Sequence, residues 1–385
     1  MSLTRTTARP GGFNLSGKLR SVDPMLLLVS VALSVAGIFA VYFAVYGHGS
    51  ETRQYYATNQ AIGFFVGLAG AIPLALFDYR ILKRHLRLVY VLVLVMLLAV
   101  TIAGAAAGGA QRWIDIGPVQ VQPSEFAKLF MVVVLAGFFS EVYVGDHINF
   151  LKGLGIVCLP ALLVFMQPDL GTALVFGAIF FTMSFIAGAR ISQLALLTVV
   201  GISSFALAVK LKFLEPYQVA RLTAFLNPNS GSTDAGYQVA QSKTAIGSGG
   251  LTGKGLMNAT TLSNLDFLPE DHTDFIFSNL AERIGFVGCL VLLLLFFLLV
   301  WRILHVATIS RDRFGVLIAV GIATIFLFHV FVNIGMTMGI MPVTGIPLPF
   351  ISYGRSSLVV SIISLGLLQS IAMHSRSEGA KRPSL

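Results

Sequence analysis

The stretch Pro269-Glu-Asp-His-Thr-Asp-Phe-Ile-Phe277 places four ionisable side chains directly before a long apolar run that begins near Phe275. Charged groups near lipid are costly in free energy and are usually retained for function. Asp274 is the carboxylate nearest to the apolar run, which suits a base whose pKa and orientation are set by partial burial. A solvated helix cap is the second interpretation, because Asp and Thr are favoured at helix starts. The stretch alone leaves both interpretations open.

The composition indicates a polytopic membrane protein. Of the 385 residues, 56% are hydrophobic and 11% are charged, and the mean hydropathy is +0.84. A soluble domain of this length does not carry so much apolar surface. The formal net charge is +9, but the basic residues lie at the ends of apolar segments, which is typical of membrane orientation rather than nucleic-acid binding. Cys158 and Cys289 lie inside apolar runs and are expected to be packing residues.

Ten apolar runs of spanning length predict ten transmembrane helices, since one span needs about 20 residues. The predicted fold class is an all-α polytopic membrane protein with about ten transmembrane helices and one large extracytoplasmic loop that contains short interfacial helices. We expect cytoplasmic tails at 1–22 and 376–385, and a membrane domain at 23–375 whose large loop covers about 211–274. The runs begin near Met25, Ala57, Leu86, Phe126, Gly153, Gly171, Ile191, Phe275, Phe314 and Ser352.

The distribution of charge predicts that both termini are cytoplasmic. Outside the long loop, most Lys and Arg residues lie on the side of the termini, whereas the carboxylates are concentrated on the opposite side. We therefore expect the chemistry on the outer face. Within the long loop, the apolar spacing predicts an interfacial helix over 217–225. A second, polar helix is expected over 237–245, before the glycine-rich stretch.

Two polar motifs at the outer ends of spans are candidate substrate contacts. Arg112 is placed to receive a lipid phosphate, and Trp113 beside it occupies an interfacial position where membrane anchoring is the default role. Glu125 and Lys128 form an i,i+3 pair on one helix face, which is either a structural salt bridge or part of a cavity wall.

Two interruptions of the apolar pattern bring further candidates. Gln167-Pro168-Asp169 separates two runs, and helix breaks at membrane depth are tolerated mainly where they line a polar cavity. The glycine-rich stretch Gly247–Gly255 is not a P-loop, because Ser248 replaces the required first glycine and Gly255 replaces the hydroxyl that would bind magnesium. The stretch is either a flexible loop that offers Lys254 to a phosphate or a plain turn.

The last outer loop, residues 339–357, is rich in Pro and Gly yet strongly apolar, so we expect it to be rigid and buried. Ser352 and Arg355 offer a hydroxyl and a guanidinium to an anion. Cations and carboxylates thus gather at the outer leaflet. A buried cavity lined by both signs of charge would suit a lipid-linked phosphate sugar. The patterns typical of serine hydrolases and of zinc enzymes do not occur in the sequence.

These motifs, in this order, resemble the SEDS family over roughly residues 20–375. The similar segment at 341–349 looks more like the RodA branch, which serves elongation, than the FtsW branch, which serves division. Two positions depart from the family pattern: Arg283 stands where relatives often carry Glu, and Arg355 replaces a usual Gly. The segments that carry the resemblance are 111–114, 122–128, 167–173, 247–251, 272–277 and 347–354.

The resemblance implies an enzyme of the bacterial cytoplasmic membrane that polymerises lipid II into β-1,4 glycan strands at the outer face. Asp274 matches the family's essential carboxylate. It would accept the proton of the acceptor's GlcNAc 4-hydroxyl as this oxygen attacks the anomeric carbon of the donor, and undecaprenyl pyrophosphate would leave. Arg112, Lys128 and either Arg355 or a divalent cation would neutralise the leaving group.

The resemblance also implies binding partners and a set of site residues. The expected partners are a class B penicillin-binding protein, lipid II, undecaprenyl-pyrophosphate-linked glycan and membrane lipids, without nucleic acid. Glu125 and Asp169 are the candidate ligands of a divalent cation, Mg or Mn, and no organic cofactor is expected. The predicted substrate-binding residues are Arg112, Trp113, Glu125, Lys128, Gln167, Asp169, Lys254, His272, Thr273, Ser352 and Arg355.

Two further expectations concern class and docking. A transporter that flips lipid-linked cell-wall precursors is the alternative function, since polar membrane cavities also serve transport; the clustering of charge at one face favours the enzyme. The protein partner is expected to contact either the apolar outer loop from Met341 to Phe350 or the eighth and ninth spans, because exposed apolar patches usually mark interaction surfaces.

Overall fold

A computed structural model provides the structure of the chain and describes residues 21–107, 110–116, 119–226, 234–258, 261–262 and 271–379. The tail up to residue 20, the stretch 263–270 and the last six residues lie outside these ranges. A single turn of 3-10 helix, Tyr46–His48, precedes the second helix. In chain order the helices are α1 (Pro24–Ala44), α2 (Ser50–Leu76), α3 (Arg80–Arg84), α4 (Leu86–Ala103), α5 (Pro123–Glu141), α6 (His147–Met166), α7 (Leu170–Ile186), α8 (Ile191–Lys210), α9 (Pro216–Leu226), α10 (Asp234–Ser248), α11 (Ile276–Ile309), α12 (Arg313–Thr337) and α13 (Arg355–Gly379).

The helical fold class is confirmed. Within the described ranges, eight helices are long and apolar enough to cross a membrane, and the shorter apolar helices α4 and α7 complete the ten predicted spans. The chain is therefore a multi-pass membrane protein. The break at Gln167–Asp169 separates two distinct helices, α6 and α7. In the large loop, α9 and α10 cover the two helices predicted over 217–225 and 237–245.

A small antiparallel sheet adds to this helical architecture between α4 and α5. Its strands are β1 (Ala105–Ala107), β2 (Ala110–Ile116) and β3 (Val119–Val121), in the order β1-β2-β3. Asp115 lies opposite Gln120 in the β2–β3 pair. The alternation of Val and Gln over 119–122 has the period of a strand, but it is too short to be recognised as one from the sequence.

The core lies between α5, α12 and α13, whose side chains are mostly buried. At the periphery, α8 buries only Gln193 and Leu194. Small residues let α2 and α13 approach closely: a Cβ at Gly366 would be 2.5 Å from the carbonyl oxygen of Ala71. Close backbone approach through glycine is the usual mode of helix association in lipid, where the hydrophobic effect does not drive contact.

The outer loop that joins α12 to α13, residues 338–354, folds back to membrane depth, and we name it the re-entrant loop. The carbonyl oxygen of Pro347 accepts from Nδ1 of His329 at 3.1 Å. His329 lies eight residues before the end of α12, which corresponds to about 12 Å along the helix axis. Ile346, Leu348 and Phe350 are each at most 3% exposed. The expectation that a partner contacts these side chains is wrong, because they fill the interior of the bundle.

The glycine-rich stretch, residues 247–255, is a structural strap that docks on a kink in α11. The helix is interrupted at Gly285, whose φ is 67°. The amides of Lys254 and Gly255 donate to the carbonyls of Glu282 and Arg283, at 2.9 and 3.0 Å. The glycine strap therefore satisfies backbone groups that the kink leaves without helical partners, rather than being a flexible loop or a plain turn.

Candidate active site

A five-residue turn, residues 271–275, holds Asp274 immediately before α11. The Asn333 side-chain amide donates both to the carbonyl of Asp274, at 3.0 Å, and to that of Ile346, at 2.8 Å. The Ser352 hydroxyl donates to the carbonyl of Thr273 at 2.7 Å. Asn333 and Ser352 thus clamp the turn against the re-entrant loop, so the backbone that carries Asp274 has a defined position.

The other face of the turn contacts an aromatic cluster. His272 lies 4.8 Å from the ring of Tyr56 and 5.9 Å from that of Tyr353, between ring centroids. The Tyr353 amide donates to the His272 carbonyl at 2.9 Å. Burial raises the pKa of the Tyr353 phenol, and the guanidinium of Arg355 only partly opposes this rise. His272 and the half-buried Thr273 therefore lie next to Asp274 and support the turn that carries it.

The carboxylate of Asp274 is half-buried and faces the same position as a guanidinium that the sequence did not single out. A Cβ built on Gly345 would lie 3.4 Å from Oδ2 of Asp274 and 3.5 Å from Nη1 of Arg221. Gly345 has a φ of 74°, a conformation that favours glycine. The re-entrant loop thus leaves a bare backbone between an acidic and a basic side chain.

Beside this position lies a cavity of about 300 Å³. Arg112, Tyr217, Gln218 and Arg221 supply its polar groups. The remaining wall is mostly apolar and comes from the break region, α7, α8, α9 and the re-entrant loop: Phe165, Pro168, Leu170, Ala173, Leu174, Gly201, Phe205, Leu214, Leu222, Pro342, Val343 and Thr344. Asp274 is not part of the lining, but Gly345, against which its carboxylate lies, directly follows the lining residue Thr344. An apolar cavity with two guanidinium groups at one end suits an amphipathic anion.

The helix break at 167–169 positions Arg112. Its guanidinium donates to the Pro168 carbonyl and to the Tyr217 hydroxyl, the latter at 3.1 Å. Tyr217 also donates to the Pro168 carbonyl. One carbonyl oxygen at the break thus anchors a cation from the small sheet and a phenol from α9, as expected for a helix break that lines a cavity.

Gln167 and Asp169 themselves point away from the cavity. The Gln167 amide donates to the Leu97 carbonyl at 2.8 Å, which fastens the break to α4. Asp169 caps α7, because its two carboxylate oxygens accept from the amide and hydroxyl of Thr172, at 3.0 and 2.9 Å. Both side chains therefore support the cavity wall from behind.

Glu125 and Lys128 form a buried ion pair at membrane depth. Their side chains are joined at 2.8 Å and are at most 5% exposed. The Lys128 ammonium also donates to Nε2 of His329 at 3.0 Å, and His329 in turn contacts the Pro347 carbonyl. The pair therefore holds the re-entrant loop, and its contacts lie within the protein interior.

Lys254 is engaged by a carboxylate rather than presented on a mobile loop. Its ammonium lies 2.6 Å from Oε1 of Glu282, which is fully buried. Glu282 also accepts from the Leu262 amide at 3.0 Å. The glycine strap thus brings a cation to neutralise a carboxylate at the kink, and Lys254 does not line the cavity.

Trp113 and Arg355 lie away from the cavity lining. Trp113 is half-buried in β2, where its backbone pairs with Ala105. Arg355 begins α13 and packs beside α2, with its Cα 3.6 Å from the position that a Cβ on Gly63 would take. Of the predicted cations, the structure therefore places Arg112 at the cavity and distributes the others around it.

Glu125 and Asp169 do not fit a shared divalent-cation site. Glu125 is paired with Lys128, and both oxygens of Asp169 accept from Thr172. Over the described part of the chain, no group of three or more His, Cys, Asp or Glu side chains has the arrangement of a metal site. We therefore derive no step through an ion held by these two carboxylates.

Sequence reasoning missed Arg221, Tyr217 and Asn333. Arg221 follows Tyr217 by four residues on the predicted interfacial helix, so both occupy one face, and its guanidinium lies 5.6 Å from the centroid of the Tyr217 ring. That spacing was the available signal. Asn333 gave no signal, because a single polar residue in an apolar span usually satisfies a neighbouring backbone group.

Comparison with known proteins identifies a family. The family model of FtsW, RodA and SpoVE, described as cell cycle proteins, matches residues 23–377. Stage V sporulation protein E of Bacillus subtilis (strain 168) is 36% identical over 370 residues, covering 94% of this chain and all of that protein. The peptidoglycan glycosyltransferase MrdB of Escherichia coli (strain K12) is 38% identical over 355 residues, covering 92% of this chain and 94% of that protein.

Solved structures give the same result. A chain from a peptidoglycan synthase complex that coordinates polymerization and crosslinking superposes with a TM-score of 0.77 at 28% identity, covering 92% of this chain and 98% of that one. The rod shape determining protein RodA of Thermus thermophilus superposes with a TM-score of 0.68, also at 28% identity, covering 92% of this chain and 96% of that one.

Proposed function

Because the chain belongs to the FtsW/RodA/SpoVE family and is a peptidoglycan glycosyltransferase, we propose that it polymerises lipid II with Asp274 as the general base. The observation that carries the proposal is the position of this carboxylate. It is half-buried, clamped by the re-entrant loop and adjacent to an apolar cavity that presents two guanidinium groups. This arrangement supports an acid–base group next to an anion site.

The reaction joins two lipid-linked sugars. The 4-hydroxyl oxygen of the acceptor's GlcNAc attacks the anomeric carbon of the donor chain, and Asp274 takes the hydroxyl proton. A β-1,4 glycosidic bond forms as the bond from the anomeric carbon to the phosphate oxygen breaks, and undecaprenyl pyrophosphate leaves. Partial burial keeps the carboxylate poorly hydrated, which favours proton transfer to it in the transition state.

Arg112 and Arg221 are the groups that would stabilise the leaving pyrophosphate. Both guanidinium groups line the cavity, and neither is joined to a carboxylate in the described contacts. Guanidinium binds phosphate oxygens in a bidentate manner, and such contacts gain strength in a cavity that excludes water. The apolar wall between α7 and α8 would take the first isoprene units of the lipid.

Substitution of Asp274 by Asn tests the proposal, because it removes the base and keeps the shape of the side chain. In polymerisation assays of purified protein with lipid II and its crosslinking partner, we expect Asp274→Asn to lower the rate by about 10²–10⁴-fold. Asp115→Asn is the matched control, since Asp115 is an exposed carboxylate on β2 and should leave the rate unchanged. An Asp274→Asn enzyme that keeps more than a tenth of the rate would overturn the assignment.

We also propose that the partner is a class B penicillin-binding protein whose membrane helix packs on α11. The similarity to a chain from a complex that coordinates polymerization and crosslinking supports such a partner. With the re-entrant loop buried, the eighth and ninth spans remain as candidate surfaces, and α11 is the more exposed of the two. Its outward face carries a continuous apolar stripe at helical spacing: Phe286, Leu290, Leu294, Phe297 and Trp301, each 45–65% exposed.

Alanine substitution within this stripe tests the docking surface. Leu294→Ala combined with Phe297→Ala should reduce co-purification with the penicillin-binding protein, because helix association in lipid depends on side-chain packing. The same change at Leu196 and Val199 of α8, which are also exposed and apolar, is the control and should leave co-purification intact. Equal co-purification of both double variants would place the partner elsewhere.

The side of the membrane and the cellular role complete the proposal. The excess of Lys and Arg on the side of the termini supports an active site on the outer face of the cytoplasmic membrane. A role in elongation and rod-shape maintenance rests on the resemblance of residues 341–349 to the RodA branch. Relatives named MrdB and FtsW have similar sequence identity to this chain, 38% and 35%. The assignment to the RodA branch is therefore proposed separately from the reaction.

A further inference from the structure

Arg283, one of the two departures from the family pattern, is among the largest fully buried side chains of the protein, at 1% exposure. Its guanidinium donates in three directions. Nε donates to Oδ1 of Asn279 at 2.7 Å, Nη1 to the Leu256 carbonyl at 2.7 Å and Nη2 to the Thr261 hydroxyl at 3.2 Å. One cation at the kink of α11 thus connects the helix to the segment that follows the glycine strap.

Asn279 extends this contact towards the turn that carries Asp274. Its amide nitrogen donates to Oδ2 of Asp271 at 3.0 Å, while its amide oxygen accepts from Arg283. A guanidinium requires an acceptor and a carboxylate requires a donor, so the charges on the two sides determine the orientation of this amide. The three side chains form a continuous row, Arg283–Asn279–Asp271, which we name the charge row.

Asp271 is the end of the row that reaches the active site. It is 4% exposed, it opens the turn 271–275, and its Oδ1 contacts Nδ1 of His272 at 3.2 Å. A buried carboxylate needs a compensating charge, because the energetic cost of its desolvation is otherwise large. The other buried carboxylate at the kink, Glu282, is neutralised by Lys254. Arg283 is therefore the permanent counter-charge of Asp271, acting through one amide, in addition to the direct contact with His272.

We propose that Arg283 is a positioning residue for the glycosyl transfer, and that the charge row holds the turn so that Asp274 faces the cavity. The re-entrant loop holds one side of the turn through Asn333 and Ser352. The charge row holds the first side chain of the turn, that of Asp271, from the direction of the glycine strap. Arg283 contacts no group of the cavity wall. This inference rests on the proposed role of Asp274 as the base.

The test is a double-variant cycle of Arg283→Met and Asp271→Asn in the enzyme bound to its partner. Each single variant removes one of the two charges that face each other through Asn279, so we expect kcat for lipid II polymerisation to fall about 10–100-fold, with KM changed less than threefold. The double variant removes both charges together. Its kcat should recover at least tenfold relative to the slower single variant.

Two further variants keep the test decisive. Arg302→Met breaks an ion pair with buried Asp23 at the opposite end of the same helix, and it should lower the melting temperature without changing kcat beyond twofold. Arg283→Lys keeps the charge but loses the planar guanidinium, so it should give a kcat between those of the wild type and Arg283→Met. If Arg283→Met does not fold, Arg283→Lys replaces it in the double-variant cycle.

Two outcomes would overturn the inference. One is an unchanged kcat in the Arg283 variants. The other is losses in the double variant that multiply those of the two singles, which would mean that the residues act independently. Asp274→Asn separates these from a failure of the proposed function: an inactive Asp274→Asn enzyme with fully active Arg283 variants refutes only the positioning role.

Discussion

Arg112 and Arg221 present guanidinium groups to the cavity, whereas Lys128 and Lys254 are joined to carboxylates inside the chain. The positively charged residues thus have two different roles. The arginines meet the space where a pyrophosphate would lie, and the lysines neutralise carboxylates that the fold has buried. Burying a carboxylate without such a partner is strongly unfavourable.

Arg221 should matter mainly for substrate binding. A hydrogen bond to a charged group contributes about 1.5–3 kcal/mol, so Arg221→Ala should raise the KM for lipid II by about tenfold or more. Arg221→Lys should give a smaller change, because ammonium lacks the bidentate geometry. Steady-state polymerisation kinetics measure both, with Arg84→Ala, an exposed arginine on the opposite side of the membrane, as control. An unchanged KM for Arg221→Ala would show that the pyrophosphate binds elsewhere.

Lys128 should matter for stability as well as activity. Lys128→Ala leaves Glu125 buried without a counter-charge, which should cost about 3–5 kcal/mol and lower the melting temperature in detergent. The double variant Glu125→Gln with Lys128→Met removes both charges and should regain most of the lost stability. Fluorescence-monitored thermal unfolding measures the difference. A double variant no more stable than Lys128→Ala would show that the contact to His329, rather than the ion pair, stabilises the site.

Among individual side chains, the sequence predicted the contacts between residues that are close in the chain. Glu125 and Lys128 are three residues apart on one helix, so their contact follows from helix geometry. The pairing of Lys254 with Glu282 and the facing of Arg221 towards Asp274 span long stretches of chain. Spacing along the chain shows which face of a helix a residue occupies, but not which other element packs against that face.

The elements were predictable where a single physical cause produces them. Each span follows from an apolar run matched to the membrane, and α9 follows from the apolar spacing of its surface. The kink in α11 has two causes that must act together, Gly285 and a glycine strap that arrives from the preceding loop. Neither Gly285 nor the glycine-rich stretch predicts by itself that the two dock on each other. The sequence therefore left two interpretations of the stretch open, a flexible loop and a plain turn.

The glycine strap gives a prediction with a matched control in the same stretch. A Cβ at Gly253 would overlap the Arg283 carbonyl, whereas a Cβ at Gly247 meets nothing within 4 Å. Gly253 also has a φ of 80°. Gly253→Ala should therefore destabilise the protein by about 2 kcal/mol or more, and Gly247→Ala, within α10, should be neutral or stabilise it by up to about 1 kcal/mol. Equal melting temperatures for the two variants would argue against backbone docking of the strap.

The ends of three helices are joined at the side of the bundle opposite to Asp274. Asp23 is fully buried and accepts from Arg302 of α11, at 2.7 Å, and from Arg376 of α13, at 2.9 Å. Burial by itself raises the pKa of Asp23, but the hydrogen bonds from Arg302 and from the Leu26 amide, together with the charges of Arg302 and Arg376, outweigh it, so the pKa lies below its ordinary value. The first, eighth and tenth spans are thus fastened together by one carboxylate.

This carboxylate gives a prediction for the whole molecule. Because the pKa of Asp23 is lowered on folding, its stabilisation is fully present above the unfolded pKa of about 3.9 and is lost as the pH falls through the folded value. Asp23→Asn should destabilise the protein by about 3 kcal/mol at pH 7, and the difference should shrink below about pH 4. Thermal unfolding in detergent across this pH range measures it, with Asp115→Asn as the control that shows no difference. A gap that persists at low pH would mean that the charge is not its cause.

The class of the whole molecule was evident from composition and length, because no other fold accommodates so many apolar runs. The way in which the site comes together was not. The turn that carries Asp274 is held by side chains 59 and 79 positions further along the chain. Contacts of this range depend on the packing of α12 and the re-entrant loop, which local patterns do not reveal.

The ionised residues near the start of α11 also bear on how this helix enters the bilayer during synthesis. An arginine at the centre of a span disfavours insertion by about 2.5–3.5 kcal/mol. The apolar remainder of α11 can outweigh this, with a mean hydropathy of 2.9 over its most apolar window. Lys254 and the glycine strap precede the helix in the chain, so the counter-charge for Glu282 has already been translated when α11 leaves the translocon. The order of synthesis and the order of assembly therefore coincide at this kink.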